Sequence, residues 1–169
     1  RSCRVGTEQL WQGILDHDGI PRRRYHEIKQ MGEELRHVGD EISGTEVRAD
    51  AAIMLSYDSR FAFQAQPNSP AFSYPQHVRD YHAALHHQHI PAAIIAPDAD
   101  FTPYRLIIVP ALYVTEEMTA TRLRLFVEQG GTLVITTRSG FKNHYNMVVD
   151  TPLPGLLADL CGIEIDDMD

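Results

Sequence analysis

Apolar residues change their spacing along the chain, and those changes mark its organisation. Within RRRYHEIKQMGEELRHV, Tyr25, Ile28, Met31, Leu35 and Val38 recur at steps of three and four. That spacing predicts a helix with one apolar stripe and charged residues elsewhere. Pro21 suits the first helical position, where its missing N–H costs nothing, and Gly39 suits the stop. Ahead of the helix, Gly13 to Gly19 reads as a turn-rich loop. After it, residues 39–49 (GDEISGTEVRA) are polar without a period and read as a linker.

From Asp50 the pattern becomes strand, helix, strand, strand, helix, strand. Ala51 to Tyr57, Ala92 to Ala96, Arg105 to Val109 and Thr132 to Thr136 are short apolar runs without alternation, as expected of parallel strands covered on both faces. Ser73 and Pro75 open a helix whose buried stripe is Val78, Tyr81 and Leu85. Thr115 is the expected cap of a second helix, with Leu123, Phe126 and Val127 inward and Gly130-Gly131 as its end. A short last helix is expected from Pro152 to Leu160. The alternation predicts an α/β fold of flavodoxin-like kind, a parallel sheet with helices on both faces. Phe61, Phe63, Phe72 and Phe101 are open between core and exposed interface.

Charge removes several function classes. With 15 Lys+Arg against 23 Asp+Glu the formal net charge is −8, and the single basic run, Arg22 to Arg24, lies among acids on a helix surface. A phosphate-binding face needs clustered excess cation, so no nucleic-acid partner is expected. No stretch reaches the ~18 consecutive apolar residues of a membrane span, so no membrane association is expected. Cys3 and Cys161 stand at opposite ends outside any metal-spaced set, which favours two thiols in a reducing compartment. The first residue is not Met and a cut within a longer protein is the expected origin. The expected localisation is cytoplasmic.

In a doubly wound sheet ligands bind at the carboxyl ends of the strands. The loops there contain no Gly-rich phosphate cradle, and no cofactor is expected. Ser139, in Arg138-Ser139-Gly140, lacks the G-x-S-x-G setting of a nucleophile and reads as a turn serine. His82 and His86 share one helix face at i,i+4, yet no third ligand completes them, so a solvated helix end is favoured over a metal site. Asp16, His17 and Asp18 read as a turn with local side-chain caps. Glu8 and Trp11 pair a carboxylate with an aromatic, as a sugar site does; taken alone, a surface Glu beside a buried Trp is the simpler reading. A small-molecule binding module remains the alternative, with Asp58 to Gln66 and Arg138 to His144 as walls of the strand-end crevice.

Two spans carry a resemblance that covers nearly the whole chain. RSCRVGTEQLWQGILDHDGIPRRRYHEIKQMGEEL resembles the end of the catalytic (β/α)8 barrel of glycoside hydrolase family 42 β-galactosidases, just after the eighth strand and including the last helix. SPAFSYPQHVRDYHAALHHQHIPAAIIAPDADFTPYRLIIVPALYVTEEM, with FVEQGGTLVITTRSGFKN, resembles that family's trimerisation domain, an α/β domain similar to class I glutamine amidotransferases. The resemblance implies barrel end over residues 1–38, linker over 39–49 and trimerisation domain over 50–169. It also implies a homotrimer, a galactoside substrate and hydrolysis of terminal β-galactosides with retention. Retention requires two carboxylates roughly 5–5.5 Å apart. Both family glutamates would lie upstream of Arg1, so no catalytic residue is expected in this chain and no turnover from it alone. The family motif E-[QK]-x-H-x-G is matched by Glu8-Gln9-Leu10-Trp11-Gln12-Gly13, with Trp11 in place of the His. Substrate contact therefore carries over to Glu8, while an indole can stack or donate one hydrogen bond but accepts none. The amidotransferase elbow would be Thr137 to Gly140, which contains no Cys, and Cys161 is expected beyond the last helix.

Overall fold

The computed structural model describes residues 2–9, 11 and 13–167. The chain divides into two compact units, Arg1–Glu46 and Val47–Asp169.

In the first unit a loop leads into helix α1 (Arg23–Ile42). The helix starts two residues after Pro21, with Arg22 in the cap position, and it runs through Gly39 to Ile42. A helical glycine costs about 1 kcal/mol relative to alanine, too little to stop a helix. The expected end at Gly39 is therefore early by three residues. Within its own unit α1 buries no side chain. Met31, Leu35 and Val38 of the predicted stripe are exposed, and Tyr25 and Ile28 are half-buried.

The second unit is built on four parallel strands, β1 (Ala51–Met54), β2 (Ala92–Ile95), β3 (Leu106–Val109) and β4 (Thr132–Ile135), in the order β2-β1-β3-β4. That is the order of the first four strands of a flavodoxin-like sheet. The runs are each shorter than expected: β1, β2 and β4 stop early as the chain bends into the loops at their carboxyl ends, and β3 begins one residue late, at Leu106.

Alternate residues of each strand face opposite layers. Ala52, Met54, Ile107 and Val109 pack with Leu123 and Phe126 of helix α4 (Glu117–Glu128). Ile53 and Ile108 pack with Ala62 and Phe63 of helix α2 (Tyr57–Ala65) and with Tyr74 and Val78 of helix α3 (Tyr74–His87). Helices thus cover both faces at the centre of the sheet. Coverage fails at its margins, where Ile94 is 48% and Val134 41% exposed. Both lie in register with Ile53 and Ile108; on that face α3 reaches β2 at Ala92 but leaves Ile94 half exposed. The expectation of full burial on both faces holds for β1 alone.

Helix α2 occupies most of the segment expected to be a crevice-wall loop. Ser56 opens it, its hydroxyl accepting the Ser59 N–H. Ser73 caps α3 in the same way, accepting from Gln76 N. Helix α4 is capped at Glu116 without a side-chain hydrogen bond, because the Thr115 hydroxyl donates backward to the Leu112 carbonyl. A single turn of 3-10 helix (Gly155–Leu157) and the short helix α5 (Ala158–Cys161) close the chain. Of the four phenylalanines left open between core and interface, Phe63 and Phe101 are core, whereas Phe61 and Phe72 are exposed.

Candidate functional site

Two regions hold the residues singled out by sequence, the turn before α1 and the carboxyl end of the sheet. In the turn, the Ser2 N–H donates to the Leu15 carbonyl, and Cys3 bridges to Gln9. The Trp11 N–H donates to the Glu8 carbonyl at 3.3 Å, so carboxylate and indole leave one tight turn three residues apart. Leu10 and Gln12 lie outside the described residues. Glu8 is exposed, and Trp11 is 64% exposed rather than buried. The physical reason is the size of the unit, which encloses only Ser2 and Gly13 among its described residues. An indole needs far more surrounding chain than that.

Asp16 and Asp18 are held by Arg22. Its guanidinium donates to Asp16 Oδ2 at 2.9 Å and to both Asp18 oxygens at 3.0 and 2.6 Å, while Asp18 Oδ1 also accepts the Ile20 N–H. The bidentate bond to Arg22 holds the Asp18 carboxyl below the usual carboxylate range. Arg24 donates to the Gly13 carbonyl at 2.7 Å. The triplet is therefore a clamp that fastens the loop to the start of α1. Sequence reasoning found the local caps and missed the arginine, because the pairing spans the helix boundary.

At the carboxyl end of the sheet the hydroxyl groups are already occupied. Ser59 Oγ accepts the Val114 N–H at 3.1 Å, Ser139 Oγ accepts the Leu112 N–H at 2.9 Å, and Thr136 Oγ1 accepts the Ala111 N–H at 2.8 Å. The Tyr74 hydroxyl accepts the Ser56 N–H at 2.9 Å, and its burial pushes the phenol pKa upward. Each bond satisfies an amide in a loop that leaves a strand, where no ladder partner is available. Ser139 also donates to the Thr136 carbonyl and is buried, which leaves no hydrogen-bonded base and makes it the turn serine expected. Its neighbour Arg138 adopts φ 68°.

Cys161 is the last residue of α5 rather than beyond it, and it lines a 410 Å³ cavity together with Thr137, Arg138 and Ser139. Burial pushes its thiol pKa up, opposite to the shift a nucleophilic thiolate needs. His77 Nε2 lies 3.3 Å from Thr136 Oγ1, and desolvation lowers its pKa against an opposing pull from Asp80. His82 and His86 stack with centroids 6.2 Å apart on exposed positions of α3. Among the described residues no group of three or more His, Cys, Asp or Glu is placed to hold a metal ion.

The strand-end crevice is a 340 Å³ hollow lined by Leu55, Tyr57, Pro97, Val114, Met118 and Arg122, among others. Its walls come from residues 55–58, 96–98 and 114–122; of the two segments expected, the first contributes Asp58, while Arg138 and Ser139 of the second line the 410 Å³ cavity instead. Arg122, its one basic group, donates to the Pro97 and Ala99 carbonyls at 3.4 and 2.5 Å.

These features describe an α/β scaffold, and the comparisons with known proteins agree. The profile of the beta-galactosidase trimerisation domain matches residues 49–169. Beta-galactosidase BgaA of Clostridium cellulovorans is 33% identical over 169 residues, which is 100% of this chain and 26% of that protein. The crystal structure of the beta-galactosidase from Bacillus circulans sp. alkalophilus superposes with a TM-score of 0.88 at 32% identity, over 98% of this chain and 25% of that one. Gan42B, a GH42 beta-galactosidase, superposes with a TM-score of 0.81 at 30% identity, over 92% of this chain and 23% of that one. The chain belongs to the beta-galactosidase trimerisation-domain family, and it spans about a quarter of the length of these relatives. No helix among the described residues is long and apolar enough to cross a membrane.

Proposed function

We propose that residues 50–169 assemble three copies of a retaining β-galactosidase, and that residues 1–38 are the closing loop and last helix of its catalytic barrel, joined by the linker 39–49. The observation that carries this reading is the family match across 49–169 on a sheet whose strand-end hydroxyls are spent on backbone amides. A domain with that economy holds shape; the chemistry belongs elsewhere.

In the intact enzyme the substrate is a terminal β-galactoside. Glu8 accepts hydrogen bonds from sugar hydroxyls and the exposed Trp11 covers an apolar sugar face. Neither residue breaks the bond, and the two carboxylates of a retaining mechanism lie outside this chain. The reaction needs no cofactor, and the free thiols Cys3 and Cys161 suit a cytoplasmic setting.

The test is a chromogenic β-galactoside assay of the purified 169-residue chain beside a mock preparation. No turnover above the mock is expected. Turnover that co-purifies with the chain would place catalytic groups within it and overturn the division of labour.

A further inference from the structure

The segment after β4 pairs in parallel with Val114, the Lys142 N–H donating to the Tyr113 carbonyl and the Thr115 N–H to the Lys142 carbonyl, both at 2.9 Å, and then turns back on itself. Lys142 pairs antiparallel with Val148, and the Val149 N–H donates to the Phe141 carbonyl at 3.1 Å. At the tip, the Asn143 N–H donates to the Met147 carbonyl at 2.9 Å, and Asn143 Oδ1 accepts the Tyr145 and Met147 N–H groups at 3.0 and 3.2 Å. Asn146 takes the left-handed conformation, φ 61°, which asparagine tolerates better than most residues. Underneath, the buried Lys142 amine donates to Asn146 Oδ1 at 2.8 Å and to Gln66 Oε1 at 3.1 Å, and lies 5.0 Å from the Tyr113 ring centroid. The hairpin is thus pinned to the end of α2.

All this order supports side chains that point into solvent. Tyr145 is 71%, Met147 55% and Val148 67% exposed. Fixing a loop residue costs about 1–2 kcal/mol of conformational entropy, and exposed apolar side chains return none of it to the fold. Elsewhere in this unit exposed apolar residues such as Ile94 and Leu125 sit on strands and helices, whose shape has other causes. Here the ordered tip also satisfies the buried Lys142 amine through Asn146, but that bond uses none of the three exposed apolar side chains. Order established before contact is what lowers the cost of binding, and Tyr and Met are enriched at protein interfaces.

We propose that the hairpin 142–149 is a subunit contact, seating Tyr145, Met147 and Val148 of one copy against a second copy of this chain. The occupant follows from the family, since the hairpin lies inside the residues matched to a trimerisation domain; the inference rests on the oligomerisation reading above. A three-fold ring is built from head-to-tail contacts, so the hairpin meets a different surface of the next copy rather than its own equivalent.

The test uses the 169-residue chain. Combining Tyr145→Ser with Met147→Ser is expected to weaken self-association at least about tenfold, roughly the loss of one well-buried anchor, with a melting temperature equal to the wild type's when both are measured below the assembly concentration, because both side chains are exposed in the monomer. Self-association equal to that of the wild type would overturn the inference and leave the oligomerisation reading standing. Hydroxyl-radical oxidation of Met147 in the wild type supplies a readout that needs no variant. Oxidation severalfold slower above the assembly concentration than below it is expected. Equal rates, or slow oxidation at every concentration, would overturn the inference, the latter because the chain's own residues would then cover the hairpin. A wild type that stays monomeric at all concentrations would overturn the oligomerisation reading itself and the contact with it.

Discussion

Gly140 packs directly against the carbonyl of Pro154, so closely that a Cβ added to Gly140 would overlap the carbonyl oxygen. The contact is reciprocal, since a Cβ on Gly155 would meet the Gly140 carbonyl oxygen at 2.7 Å. Gly140 also has φ 77°, a conformation side chains disfavour. Gly140→Ala is therefore expected to destabilise the unit by at least about 2 kcal/mol, combining backbone strain with displacement of the 153–155 segment. Chemical denaturation checks it; a loss within about 0.5 kcal/mol would mean the segment yields freely.

Ser59 connects two elements distant in sequence, its buried hydroxyl accepting the Val114 N–H. Ser59→Ala removes the acceptor and strands the amide, at a cost of about 1–3 kcal/mol. Ser59→Thr keeps the oxygen and separates the hydrogen bond from the added methyl. Amide exchange at Val114 is expected to accelerate in the alanine variant, and unchanged exchange would show that another acceptor serves that amide.

His77 ties stability to pH. Burial holds its folded pKa below the ordinary 6.5, so the unfolded chain takes up the proton first as pH falls. Its contribution is intact above about pH 6.5 and is lost as pH drops through the folded value. His77→Gln should flatten the decline of melting temperature as pH falls below 6.5. Identical slopes in variant and wild type would assign the acid sensitivity to other groups.

For the sugar-binding role, Glu8→Ala in the intact enzyme is expected to lower kcat/KM for galactosides at least about tenfold, equivalent to one charge-assisted hydrogen bond. An unchanged kcat/KM would remove Glu8 from the site.

The sheet was legible in the sequence because central parallel strands are apolar on both sides, which leaves continuous runs such as AAIM and LIIV. The helices α3 and α4 were legible from periodic stripes and, for α3, from the Ser73 cap, although Val127, expected inward on α4, is exposed beside the buried Leu123 and Phe126. Helix α2 was not, since Phe61 and Phe63 stand two apart and interrupt the helical period. One of them, Phe63, is core while Phe61 is exposed. The structural duties of Ser59, Thr136 and Ser139 are equally invisible in one dimension, because each hydroxyl serves an amide 25 to 55 residues away. Glu8 and Trp11 stand out in the sequence as a carboxylate–aromatic pair, and the proposed sugar contact of Glu8 rests on the resemblance of a single motif. The hairpin left only a faint signal, four apolar residues (Tyr145, Met147, Val148 and Val149) beside the turn-formers Asn143 and Asn146, too few for a strand.

The central claim is that this chain carries an assembly domain, and sedimentation equilibrium tests it most directly. The 169-residue chain is expected to reach about 57 kDa, three times 19.1 kDa, with a chain starting at Val47 giving the same stoichiometry. Retention of the trimer without α1 would exclude adhesion through its exposed apolar stripe as the cause. A monomer at every concentration in both would contradict the account.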